Sequence, residues 1–335
     1  MNQKVTFYTS ITRVFILFAF FYSCSSNNDE CEVGLLEYPN SEQVFDNTEY
    51  SQSLMECRLP RVQTYRVSNL TGGEIVANQG TVLFVRPESF EDQNGTFIDG
   101  DVTISLIEMY QPGEIISCQL STNSLNNLGI IEPLLSEGIF YLDITYNDEA
   151  VNFLHPIEIF IPSENQGLSL SFFDSPSCSQ IECQVLWEIN TAVKVIEEPY
   201  TSAGEELILG YRSFIFSAGW KSIARYNDNQ NLRSTLYNKV PSGYNKTNSN
   251  VFIKYQSQST AIGLFSEFKE DVKVFSEKHK QIPENTTADI IFISVQNNQY
   301  VFANSRIITQ PNLVTATLNT NTGTEAQFIN FINNQ

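Results

Sequence analysis

Six cysteines and two histidines bound the side-chain chemistry open to this 335-residue chain. Cys178 and Cys183 are close together inside the Ser/Pro-rich FDSPSCSQIEC, a spacing that suits a local disulfide in an oxidising compartment. Cys31 with Cys57 is the second pairing expected, which leaves Cys118 as a buried free thiol and Cys24 outside the pairing. A zinc site would need further nitrogen or sulfur ligands. The histidines do not supply them: His155 precedes a proline at the head of an apolar strand, and His279 lies in the lysine-bearing EKHKQ. Both read as structural or solvated, so neither a metal nor a cofactor is expected.

Oxygen ligands are more plentiful. Asp92, Asn94, Asp99 and Asp101 in EDQNGTFIDGD have the composition of a calcium loop, but the glycine and the bidentate glutamate that such a loop needs are out of place. Asn-Gly and Asp-Gly are turn residues first, so a solvated hairpin tip is the better reading. The pairs Asp148-Glu149, Glu197-Glu198 and Glu205-Glu206 offer carboxylates for glycoside hydrolysis. Neighbouring acids on a strand or loop point apart, however, and are read as surface charge. The sequence contains no Gly-x-Ser-x-Gly, no His-Glu-x-x-His and no phosphate-cradling glycine loop, so an enzyme is not expected. Binding remains, and aromatic rings on a β-scaffold can stack on sugars or anchor a protein. Trp220, Tyr237 and Tyr244 are the candidates for ligand contact. Trp220, after SFIFSAG, leans toward the core, whereas Tyr237 and Tyr244, in STLYNKVPSGYNKTN, lean toward the surface.

The elements that would carry these groups are strands. TVLFVRPESF, the turn-rich EDQNGTFIDGD and VTISLIEMY read as strand, hairpin and strand, with Val102, Ile104 and Leu106 in alternation. GIFYLDITYN and HPIEIFIPSE read as another pair. Residues 167–186 look like a seam, with Trp187 opening a fresh apolar stretch. Beyond it, Asn297-Asn298 between ISVQ and QYVF is a hairpin turn. Leu264, Phe268, Val272 and Phe275 fall at helical spacing and predict a short helix over 264–277. The fold class expected is all-β, as two tandem immunoglobulin-like antiparallel β-sandwich domains at 59–166 and 187–335.

Thirty-eight Asp and Glu against 19 Lys and Arg give a formal charge of −19. Such a surface repels nucleic acid and anionic lipid, so neither is an expected partner. The first residues are different: Lys4 and Arg13 precede an unbroken apolar run from Val14 to Tyr22. A membrane span needs ~20 apolar residues and a secretory core 7–15, so residues 1–23 read as a signal peptide. Tyr22-Ser23-Cys24 resembles a lipobox, in which the cysteine thiol is acylated and its amino group becomes the mature N-terminus. Phe21-Tyr22 is bulkier than the usual pair. The polar Ser25-Ser26-Asn27-Asn28-Asp29-Glu30 is similar to the tethers of Bacteroidota surface lipoproteins, which makes 24–58 a lipid tether and linker. Two or more acyl chains would anchor stably where one would be marginal.

A second resemblance is to ZU5-like domains of Bacteroidota exported proteins. Gly72, Gly73, Gly80, Thr81, Pro87, Phe90, Gly95 and Gly100 take the places of that pattern, and Arg86 departs from it, which would put its strand at an edge. The resemblance implies an interaction module and no reaction. Gly219-Trp220 and Arg225-Tyr226 carry a likeness to the second domain of the same lipoproteins. Together these imply a non-catalytic binding or scaffold protein, lipid-anchored in the bacterial envelope, most naturally at the outer membrane. Its partner would be an envelope protein or a surface polysaccharide. A glycan-binding or carbohydrate-active lipoprotein is the alternative.

Overall fold

The computed structural model describes Tyr50, Gln52 and residues 56–335 apart from 127, 202, 203, 205, 230 and 278. Cys24, Cys31 and the leader lie outside these residues. The fold is all-β and mainly antiparallel. A first sheet runs Gln63–Ser68, Asp101–Met109, Leu135–Tyr146, Gly219–Arg225, Ser171–Asp174, Glu188–Ile189. A second runs Ile196–Glu197, Gly210–Ile215, Ile157–Pro162, Val82–Val85, Gly73–Val76. Their facing side chains, among them Val102, Ile104, Leu106, Phe140, Leu142, Ile159 and Tyr211, form one core. A third sheet, centred on Ser249–Tyr255, Thr287–Gln296 and Gln299–Ile308, shares another core with a fourth around Tyr237–Lys239 and Val274–Ser276.

Strand pattern explains how these layers meet. Residues 102, 104 and 106 face the second sheet, while Ile107 and Met109 face the other way, and Ile139 and Tyr141 alternate likewise with Phe140 and Leu142. The first sheet is therefore apolar on both faces, a pattern that produces near-continuous apolar runs such as GIFYLDI. Its outer face forms a third core with Phe252, Ile291, Ile293 and Phe302 of the third sheet. Two helices, α1 (Pro112–Ser117) and α2 (Glu325–Asn333), contribute Ile115, Ile116, Phe328 and Ile332 to that middle core. A Cβ at Gly113 would lie 2.6 Å from the Ile329 carbonyl oxygen, so glycine is what lets the helices approach. Backbone pairing of Ser136 with Thr260, at 2.8 and 2.9 Å, adds a polar link between the halves.

Several expectations need correction. The strands flanking EDQNGTFIDGD belong to different sheets, as do 135–146 and 157–162, so both connections cross between layers instead of closing hairpins. Val82–Val85 has neighbours on both sides, so it is internal despite Arg86. Residues 167–186 contain Ser171–Asp174, paired with both Gly219–Arg225 and Glu188–Ile189. The first two sheets thus extend to Arg225, past the seam expected at 167–186. All described residues fall in the unit Glu37–Gln335. The helix predicted over 264–277 is replaced by Glu267–Lys269 and Val274–Ser276, an antiparallel pair whose turn includes Lys273 at φ 54°. Burial of Val274, Phe275 and Ser276 beside the Tyr237–Lys239 strand outweighs the helical spacing. Asn297 and Asn298, at φ 51° and 57°, do form the hairpin turn.

Candidate functional site

Cys178 is joined to Cys183, and Cys57 is joined to Cys118. The second bond corrects the Cys31–Cys57 pairing and the free thiol at Cys118. Packing decides it, because Cys57 and Cys118 are both buried in the middle core beside the end of α1. Arg58 follows at once and is itself buried. Its Nε donates to the Cys118 carbonyl at 3.0 Å, and its Nη1 donates to the carbonyls of Ile181 and Cys183 at 2.7 Å each. One guanidinium therefore ties the two disulfides together. Burial lowers its pKa to about 10, with Glu182 opposing.

Trp220 lies under the same loop. It is fully buried, donates Nε1–H to the Gln180 carbonyl at 3.1 Å, and carries the Arg58 guanidinium over its ring at 5.3 Å. The ligand-contact reading of Trp220 is thus overturned, since its ring is spent on the core. Tyr244 is also buried, edge-on to Phe292 at 4.8 Å, and burial pushes its phenol up to about 12. It belongs to the core between the third and fourth sheets. Tyr237 is half-buried with the Lys269 ammonium 5.8 Å from its ring centroid. The three rings are not brought together as an exposed row.

The acidic candidates resolve into local roles. Asp92 Oδ1 accepts from the Thr96 and Asn94 backbone N–H groups at 2.7 and 2.9 Å, bonds that hold its carboxyl below the ordinary range. It caps a turn. Glu197 accepts from the Gly167 N–H at 2.6 Å, whereas Glu198 lies 3.4 Å from Arg212, so these neighbours serve different partners. Among the described residues, the one grouping of metal-ligand atoms is Cys57, Cys118 and Glu325, and its two sulfurs are bonded to each other.

A polar groove of about 350 Å³ is lined by residues 110–112, 136–137 and 162–165 from the N-terminal half and by 254–261, Asn333 and Gln335 from the C-terminal half. Glu137, near the start of Leu135–Tyr146, organises one wall. Its Oε2 accepts from Ser163 Oγ at 2.6 Å and Asn165 Nδ2 at 3.0 Å, and its Oε1 accepts from Ser259 Oγ. Asn165 Nδ2 also donates to the Gln258 carbonyl at 3.3 Å, and its own carbonyl accepts from Tyr211 Oη at 2.7 Å. Next to Glu137, Gly138 leaves room for Tyr110, because a Cβ there would lie 2.6 Å from the tyrosine ring. Lys254 is a buried cation of the lining, with Nζ 3.7 Å from the buried Asp289 and 3.5 Å from the Gln335 carbonyl. Burial lowers its pKa, and Asp289 offsets part of the effect. Arg306 holds Asp289 from the other side at 3.0 and 3.3 Å.

Tyr255 lines both the groove and a neighbouring cavity of about 10 Å³, room for about one water. Its Oη is buried without a hydrogen-bond partner. Glu277 lines the same cavity and accepts from the N–H groups of His279 and Gln281 at 2.6 and 3.2 Å. Burial raises the Glu277 pKa, and those N–H groups pull it partly back. Sequence reasoning passed over Arg58, Glu137 and Lys254. Glu137 had one legible signal, an acid inside the strand sequence LLSEGIFYLDI.

No protein-family model, curated protein or solved structure matches this chain. None of these comparisons bears on the ZU5-like resemblance. Gly72 is the most constrained of its residues, at φ 64° with a Cβ position 2.2 Å from the Val85 carbonyl oxygen.

Proposed function

We propose that this chain is a lipid-anchored cell-envelope protein with a non-catalytic binding or scaffold role. The observation that carries the proposal is Tyr22-Ser23-Cys24, placed after a short apolar run and before a polar tract. The two disulfides of the described body support export, since such bonds persist in oxidising compartments. An acidic body has little intrinsic attraction for anionic membranes, so acyl chains on Cys24 would supply the attachment.

The groove supports binding over turnover. A glycosidase pairs two carboxylates across ~5–9.5 Å, one of them free to move a proton. Glu137 is instead committed to three protein donors that tie the groove walls together. Cross-linking in intact cells, followed by recovery of attached envelope components, tests the role. Discrete adducts that depend on Cys24 are expected. A protein that stays unattached and instead depolymerises a surface polysaccharide contradicts the proposal.

A further inference from the structure

We propose that the groove between the two halves binds a neutral, hydroxyl-rich ligand of one or two sugar rings. This rests on the binding role above and names the ligand class for it. Three features of the site carry the inference.

Volume and lining come first. About 350 Å³ lies at the lower end of the ~300–1,000 Å³ typical of small-molecule sites. The walls present Gln111, Ser257 and Gln258 at the rim, with Pro112, Pro162 and Tyr110 as apolar contacts. Amides and hydroxyls offer donors and acceptors side by side, the complement of sugar hydroxyls, each of which does both.

Charge is the second feature. The Glu137 carboxylate is matched by three donors, and Lys254 has Asp289 as its counter-ion. The lining holds Glu137 and Glu164 together with Lys254, so neither an anion nor a cation meets a surface of one opposite sign. A neutral ligand needs no such surface. Lys254 Nζ has three donors and contacts of only 3.5 and 3.7 Å, so it keeps the capacity to donate to a hydroxyl oxygen.

Preorganisation is the third. Glu137 with Ser259, Asn165 with Gln258, and Ser136 with Thr260 join the two walls before any ligand arrives. Fixing the walls in advance lowers the ordering cost of binding. It also keeps the amide-rich rim in one arrangement.

Saturation-transfer NMR on the full chain in detergent, with maltose, cellobiose and lactose as probes and glucuronate and spermine as charged comparators, tests the site. Saturable binding of at least one disaccharide is expected. Ser257→Trp fills the rim from an exposed position, gives up the hydroxyl's bond to the Ser259 carbonyl, and should weaken that binding by about tenfold or more, equivalent to about 1.4 kcal/mol, with a cooperative melting transition retained. Gln258→Ala, which removes an exposed amide, should weaken it by a smaller factor. Absence of saturable disaccharide binding overturns the inference, as does binding indifferent to Ser257→Trp or a preference for either charged comparator. Acylation and envelope fractionation of the same variant report separately on the anchored role.

Discussion

Arg58 shows how much one side chain can carry here. Its three carbonyl partners sit on both disulfide-bonded segments, and its guanidinium covers Trp220. Arg58→Met keeps much of the volume but strands three inward carbonyls, so we expect a loss of about 3 kcal/mol in urea unfolding. Unchanged or increased stability would mean that desolvation of the guanidinium outweighs its bonds. Glu277 gives a pH signature. Its folded pKa is raised by burial, so the folded state holds the proton more tightly than the unfolded chain does. That contribution is fully present below the ordinary carboxylate pKa and is lost as pH rises through the folded value. Glu277→Gln should flatten this part of the stability profile just above the ordinary carboxylate range. An identical slope in both proteins would refute the assignment.

The disulfides belong to the scale of elements. Cys57–Cys118 closes a sequence separation of 61 and Cys178–Cys183 one of 5. On loop entropy alone the paired Cys→Ser variants should cost about 4 and about 2 kcal/mol respectively. Chemical denaturation of both variants checks the order; the reverse order would show that packing under Trp220 dominates. Strands and turns were legible in the sequence where the signal is local, as in Val102, Ile104 and Leu106 or Asn297-Asn298. Partners were not. The EDQNGTFIDGD connection has good turn chemistry but joins strands of different sheets, which local pattern does not distinguish from a hairpin. The segment 264–277 has helical spacing yet pairs as strands, because its neighbours supply an open sheet edge. Long-range contacts also explain the missed groove: Glu137 and Ser259 are far apart in sequence and meet only when the sheets stack.

Across the whole molecule, the middle core is the decisive feature. It draws on the first sheet, the third sheet and both helices, and holds Trp187 and Trp220. Two beads on a linker would unfold separately, whereas a shared core predicts coincident loss of tryptophan fluorescence and far-UV circular dichroism in denaturant. Two resolved transitions would count against a single cooperative body. Under the function proposed above, acyl chains on Cys24 would hold that body at a membrane. Metabolic labelling with an alkyne fatty acid tests the attachment most directly, comparing the full chain with Cys24→Ala. The account predicts label and detergent-phase partitioning in the parent chain and neither in the variant. Label retained by Cys24→Ala, or an unlabelled and freely soluble parent chain, would contradict it.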